Sequence, residues 1–236
     1  MSVDRSTNKL KVAIFGCSWS HGIHSLDNHR NWPYYFALNN KDWQIDNYAI
    51  AASSLQFQIY LYEYVKKHNP ADKYIFQITR PERFTYFKND TKFEDLLEDR
   101  KFYNDHLDNY KWFNYATINK TVQPVTIGNV KKFFAHGNLD FTKDSLDFAN
   151  LYYKITNDEI MELEWKMGIE YIKNKVDFCF LHTEGRQRNI KDLYCIEDIV
   201  GKDYCYQNYF EDGGGTHFNQ KGLQWTAGWV KEHAEL

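Results

Sequence analysis

No apolar run in this sequence approaches the roughly 20 residues that a membrane-spanning helix needs, and no charged-then-apolar leader opens it. The expected setting is therefore the cytoplasm of the cell that makes it, with no membrane partner. An excess of one charge is missing as well. The 29 Lys and Arg against 32 Asp and Glu leave a net charge of −3, too little for a global field that recruits nucleic acid or an anionic membrane. Cysteine is sparse, and the four, Cys17, Cys179, Cys195 and Cys205, form no Cys-x-x-Cys pair. Neither a zinc site nor a thioredoxin-like redox site is thus signalled, and no metal or cofactor is expected. Cys179 stands within an apolar run and reads as a buried thiol. Internal repeats and low-complexity segments are also absent, and 236 residues suit one domain with one sizeable core.

What is present is an alternation of strand and helix patterns. Lys11-Val12-Ala13-Ile14-Phe15 is a short apolar run with β-branched residues that stops at Gly16, as a buried strand does. His21 to Asn31 reads as a polar loop, followed by a helix with Pro33 in its first turn and a stop at Asn39 to Asp42. Trp43 to Ala49 is the expected second strand, Ala51 to Lys67 a helix opened by Ser53 or Ser54, and Lys73 to Ile78 the third strand. This order predicts a parallel α/β sheet with right-handed crossovers. Periodicity fades from Thr85 to about Asp140: Phe93 to Arg100 fits one helix, and Thr121 to Val130 a loop or short hairpin. An insertion at about 85–140, following the third strand, is a candidate lid, specificity element or oligomer interface. Lys143 to Tyr153 has helical spacing, and Thr156-Asn157-Asp158-Glu159 reads as a capping box for a helix reaching about Asn174. Val176 to Leu181 is the fourth strand, Asp192 to Val200 holds a fifth or a short substitute, and an amphipathic helix follows Gly222.

Ligands of open parallel sheets bind at the carboxyl ends of the strands. Gly16 permits a tight turn at that end of the first strand, so Ser18 and Ser20 either face the crevice or cap the next helix. Near the other end of the chain, Asp212-Gly213-Gly214-Gly215-Thr216-His217 sets a histidine after a glycine loop and before the last helix. His182, just past the fourth strand, is a rival base or a packing residue. Aromatics make up 18% of the chain and serve either the core or a groove that stacks on sugar faces.

Gly16-Cys17-Ser18-Trp19-Ser20, with cysteine where aspartate is usual, resembles the first block of the SGNH (GDSL-type) hydrolases, and His217, Asn219 and Gly222 resemble its last. Trp32 to Leu38 looks like the family's first helix, and Asn47 to Ser54 like its second block, with alanine at both glycine positions. The resemblance implies a flavodoxin-like three-layer α/β sandwich with a central parallel sheet of about five strands. It implies a serine esterase acting on an acyl ester, acetyl first, of a carbohydrate or other small molecule. Ser18 would be the nucleophile and His217 the base, with the backbone N–H groups of Ser18 and Ala52 facing the oxyanion. The family's third block supplies an asparagine donor, but Pro81 stands at that place in Thr79-Arg80-Pro81 and donates nothing. Arg80 or Thr79 is the expected substitute, with Thr79, Trp19 and His182 as substrate contacts. Arg80 has an equal claim to an ion pair, and Arg83 is expected to pair with Glu82 or a later acid. The family's aspartate three residues before the histidine is Gly214 here. Asp212, or less favourably Glu211, would have to bend back to the ring; failing that, the site is a Ser-His dyad assisted by a backbone carbonyl. The altered third block keeps a catalytically degenerate, binding-only relative as the alternative. A nucleotide-binding domain using the Gly16–Gly22 loop ranks lowest, because the loop lacks the lysine and spacing of a phosphate cradle.

Overall fold

A computed structural model describes residues 9–21, 30–50, 53–81, 83–87, 107–112, 122–127, 133–134, 147, 151–152, 155–181, 190, 193–209 and 217–234. Its strands, numbered in chain order, are β1 (Leu10–Phe15), β2 (Trp43–Asn47), β3 (Lys73–Ile78), β4 (Arg83–Phe87), β5 (Tyr110–Trp112), β6 (Val122–Ile127), β7 (Phe133–Phe134), β8 (Phe178–Leu181) and β9 (Tyr194–Cys195). The helices are α1 (Ser18–His21), α2 (Trp32–Asn39), α3 (Leu55–His68), α4 (Asp158–Lys173), α5 (Ile196–Val200), α6 (Lys202–Tyr209) and α7 (Gln220–His233).

Six strands form one all-parallel sheet in the order β5-β2-β1-β3-β8-β9. β1 is central, with Ile14 opposite Asn47 of β2 and Ile75 of β3. Side chains alternate across a strand. Val12 and Ile14 therefore join Trp32 and Phe36 of α2 and Trp229 and Val230 of α7 on one face. Ala13 and Phe15 join Phe57, Leu61 and Tyr62 of α3 and Trp165 and Ile169 of α4 on the other. All four β1 residues are fully buried, which is why β1 reads as a continuous apolar run rather than an alternating one. The architecture is the three-layer, flavodoxin-like α/β sandwich, and strands are added on one side of β1 with β2 and β5 and on the other with β3, β8 and β9. Aromatic rings fill both layers: Phe15 stacks on Tyr48 and Phe76, and Trp229 meets Phe178, Phe180 and Trp225.

Helix starts follow local chemistry. Asn31 accepts from Tyr34 N to cap α2, Ser54 from Phe57 N to cap α3, and Asn219 from Gly222 N to cap α7. The α4 cap differs from the expected Thr156–Glu159 box. Asn157 holds the extended cap conformation, and its side chain accepts from Ile160 N at 2.9 Å. The fifth expected strand is the two-residue β9, which runs straight into α5.

The insertion supplies two features that periodicity did not reveal. β5 adds a sixth parallel strand on the outer edge of β2, held by Ile45 N donating to Asn109 O at 2.7 Å and by Asn109 Nδ2 donating to Ala37 O and Asn40 O. The Thr121–Val130 segment contains β6, which pairs antiparallel with β4 and β7 in a separate small sheet. Pro124 pairs with Thr85 where β4 is the only described neighbour of β6, a position that proline tolerates. The expected helix at Phe93–Arg100 lies outside the described residues. Among the described residues no helix is long and apolar enough to cross a membrane.

Gly222 shows how tightly α7 seats against α6. A Cβ at this position would lie 2.7 Å from the Tyr209 carbonyl oxygen, a backbone atom that cannot swing away. Alanine is the better helix former by about 1 kcal/mol, but overpacking costs about 1–3 kcal/mol. Gly222→Ala should therefore lower the urea midpoint; an unchanged or higher midpoint would show that α7 has room to shift.

Candidate active site

The chain turns as soon as β1 ends. A Cβ at Gly16 would lie 2.7 Å from Ser20 Oγ and 2.8 Å from Gln77 Oε1, so glycine is required there by space. Gly16 N donates to Gln58 Oε1 at 3.1 Å, Gln58 Nε2 to Ser53 Oγ at 2.8 Å, and Ser53 Oγ to Gly16 O at 3.2 Å. Ser20 Oγ donates to Gln77 Oε1 at 2.6 Å and accepts from Trp32 Nε1 at 2.8 Å. Cys17 O then accepts from Ser20 N and His21 N, closing the single turn of α1. Ser18 occupies the first helical position, where its backbone N–H has no acceptor within the helix. Neither serine hydroxyl caps α1: Ser20 is tied into the core, and Ser18 faces the histidine.

Ser18 Oγ lies 3.1 Å from His217 Nε2, although 199 residues separate the two in sequence. That is hydrogen-bonding distance for a nucleophile and its base. Asn219 puts the histidine there. Its backbone N donates to Tyr209 O at 2.7 Å, its Nδ2 to Asn208 O at 3.0 Å, and its Oδ1 accepts from Gly222 N. One residue thus fixes both the end of α6 and the start of α7, two positions after His217. Trp19 packs beside the pair, its ring 4.7 Å from Phe218 in edge contact and 5.6 Å from the imidazole. Cys17 is buried, and its Sγ reaches the Gln77 side chain at 3.7 to 3.9 Å.

A further network supports α1 from the β2 side. Asn47 Nδ2 donates to Ser20 O at 2.7 Å and to Tyr110 OH at 3.1 Å, Tyr110 OH donates to Asn31 Oδ1, and Asn31 Nδ2 donates to His21 O. Burial pushes the Tyr110 hydroxyl far above the usual phenol range, opposed by its bonds to Asn47 and Asn31, so it remains a neutral donor.

Of the other expected site residues, Thr79 is buried at the end of β3, and its hydroxyl donates to Ser53 O at 3.0 Å. Trp165 Nε1 donates to the Thr79 carbonyl at 2.6 Å. Arg80 is half-buried one residue further on. Ala52, His182, Glu211 and Asp212 lie outside the described residues. Glu82 and the acids of 88–106, the partners expected for Arg83, lie outside the described residues; Arg83 Nη1 donates to Thr79 Oγ1 at 3.2 Å. Gln58, Gln77 and Tyr110 were not anticipated. Gln77 carried a usable signal, as the one amide in an otherwise apolar strand interior. Among the described residues no group of three or more His, Cys, Asp or Glu is placed to hold a metal ion. No family model and no curated protein matches the chain.

The two serines should separate in a stability assay. Ser20→Ala leaves Gln77 Oε1 and Trp32 Nε1 without their shared partner in a buried site, at about 1–3 kcal/mol for each group left unsatisfied. Ser18→Ala removes one contact at a half-buried histidine and should leave the urea midpoint nearly unchanged. Equal midpoints for the two variants would refute the structural role given to Ser20.

Proposed function

We propose that this protein is a serine ester hydrolase of the SGNH kind. The observation that carries the reading is the 3.1 Å approach of His217 Nε2 to Ser18 Oγ. It occurs past the carboxyl end of the central strand, at the point where an open α/β sheet takes its ligand. The contact of the Cys17 thiol with the Gln77 side chain, where Ser18 instead meets His217, further supports Ser18 as the reacting group. An acyl ester of a small molecule is the substrate class, with acetylated carbohydrate first to be assayed, a choice that rests on the sequence resemblance.

In this reading Ser18 Oγ attacks the acyl carbon while its proton passes to His217 Nε2. The oxyanion faces the N–H groups of Ser18 and Ala52, with Arg80 in the place of the missing asparagine donor. Collapse breaks the bond from the acyl carbon to the alcohol oxygen, and the alcohol leaves with the proton from His217. Water then attacks the acyl-serine with His217 again as base, releasing the acid and restoring Ser18. Asp212 is the acceptor assigned to the far nitrogen of the ring, where it would fix the tautomer and stabilise the imidazolium. The enzyme would need no cofactor.

A fluorophosphonate probe should label the protein at Ser18 alone. Ser18→Ala and His217→Ala should abolish hydrolysis of p-nitrophenyl acetate, while Cys17→Ala retains it. Asp212→Asn should lower kcat by orders of magnitude if the site is a triad and leave it near normal if it is a dyad. Arg80→Ala should reduce kcat more than it raises KM, as an oxyanion donor does. A parent protein that resists the probe and hydrolyses no ester would instead make the site a binding one, the outcome favoured by proline at the asparagine position.

A further inference from the structure

The helix α4 carries two apolar faces rather than one. Met161, Trp165, Ile169 and Ile172 are buried and seat it against the core. On the opposite side Ile160, Leu163, Met167 and Tyr171 are 43%, 59%, 63% and 41% exposed. Apolar side chains scattered singly over a surface need no explanation. These four are not scattered. Steps of three, four and four residues set them in one stripe along the helix, the spacing of a two-helix seam. The Tyr171 hydroxyl donates to Glu63 Oε1 of α3 at 2.6 Å, which holds its ring in place.

The stripe is complementary to itself. Leu163 and Met167 flank the middle of α4, and Ile160 and Tyr171 lie towards its ends. A second copy of the helix, laid antiparallel about a two-fold axis, sets Leu163 against Met167 and Ile160 against Tyr171. Charge selects this direction. The first half of α4 carries Asp158, Glu159, Glu162 and Glu164 and no cation, whereas Lys166 and Lys173 stand in the second half. Glu159, Lys166 and Lys173 follow one flank of the seam at intervals of seven residues, and Glu159 and Lys166 are exposed. A parallel pair would bring Glu159 onto Glu164 of the other helix, acid against acid. An antiparallel pair brings Glu159 onto Lys173 at both ends, and sets the positive end of each helix dipole beside the negative end of the other. Lys166, nearest the axis, holds Glu162 of its own helix at 2.9 Å, so its charge is answered where the two copies of Lys166 approach. We propose that the protein self-associates through α4 as an antiparallel two-fold dimer.

Sedimentation velocity of the full chain tests this. A single helix pair is a small interface, so the 28.3 kDa chain should pass from monomer to dimer within about 1–200 µM. Leu163→Arg should raise the dissociation constant about tenfold or more, and in dilute solution it should keep the parent's urea midpoint. Glu159→Lys and Lys173→Glu should each weaken the dimer about fivefold. An equimolar mixture of these two variants should recover the parent's constant, because opposite charges then meet at both ends of the seam. A parent that stays monomeric at about 200 µM would overturn the proposal. A dimer untouched by Leu163→Arg would put the contact elsewhere and overturn it too, and a lowered midpoint in that variant would show the stripe packed within one chain. A mixture no tighter than either charge variant alone would rule out the antiparallel pairing.

Discussion

The node of buried amides and hydroxyls beneath Gly16 is the constraint on which the rest of the carboxyl edge depends. Gln58, Gln77, Ser20, Ser53 and the indole of Trp32 meet there, drawn from α3, β3, α1, the chain before α3, and α2. In a low-dielectric interior each bond is strong when made and each group costly when left alone, so the node is held as a unit or not at all. The absence of a Cβ at Gly16 lets Ser20 and Gln77 close over the turn. With Ser20 fixed, α1 has one orientation, and Ser18 is presented from it. The rigidity that an ordered nucleophile requires thus comes from residues that never touch the reacting atoms.

The histidine half of the pair is positioned by a different device. Asn219 joins two helices through three hydrogen bonds, and Gly222 lets them approach until Tyr209 O nearly fills the space of a side chain. Trp19, one residue past Ser18, meets Phe218, one residue past His217. The two chemically active residues are therefore braced by their immediate neighbours as well as by their helices. An aromatic contact of this geometry adds about 0.5–1.5 kcal/mol beyond its buried area, enough to favour one relative placement of two loops far apart in sequence.

The segment after β3 departs most from the simple alternation of strand and helix. It sends β5 back to the free edge of β2, where Tyr110 reaches Asn31 and Asn47, and it builds a small antiparallel sheet whose first strand carries Arg83. Thr79 links these regions: its hydroxyl receives Arg83 and donates to Ser53, whose own hydroxyl bonds the Gly16 carbonyl. Arg83 and the turn that carries Ser18 are thus linked through Thr79 and Ser53.

The sequence by itself determined the layered architecture, because strand and helix announce themselves through different periods of burial. β1, β2, β3 and β8, a helix start at Ser53 or Ser54, and the last helix were all legible in this way, whereas the expectation that Ser18 and His217 share one edge came from the family resemblance. Short elements were not legible: β5 has three residues and β9 two, too few for a period, and both are strands only because a neighbouring edge offers them partners. Local pattern also could not choose between Thr156 and Asn157 as the α4 cap, since both side chains suit the role and backbone geometry selects one. Only tertiary structure decided which serine faces the histidine and which is spent on Gln77, and that Arg83 reaches back to Thr79. Those choices depend on distances between residues remote in sequence, and such distances are set by how the layers pack.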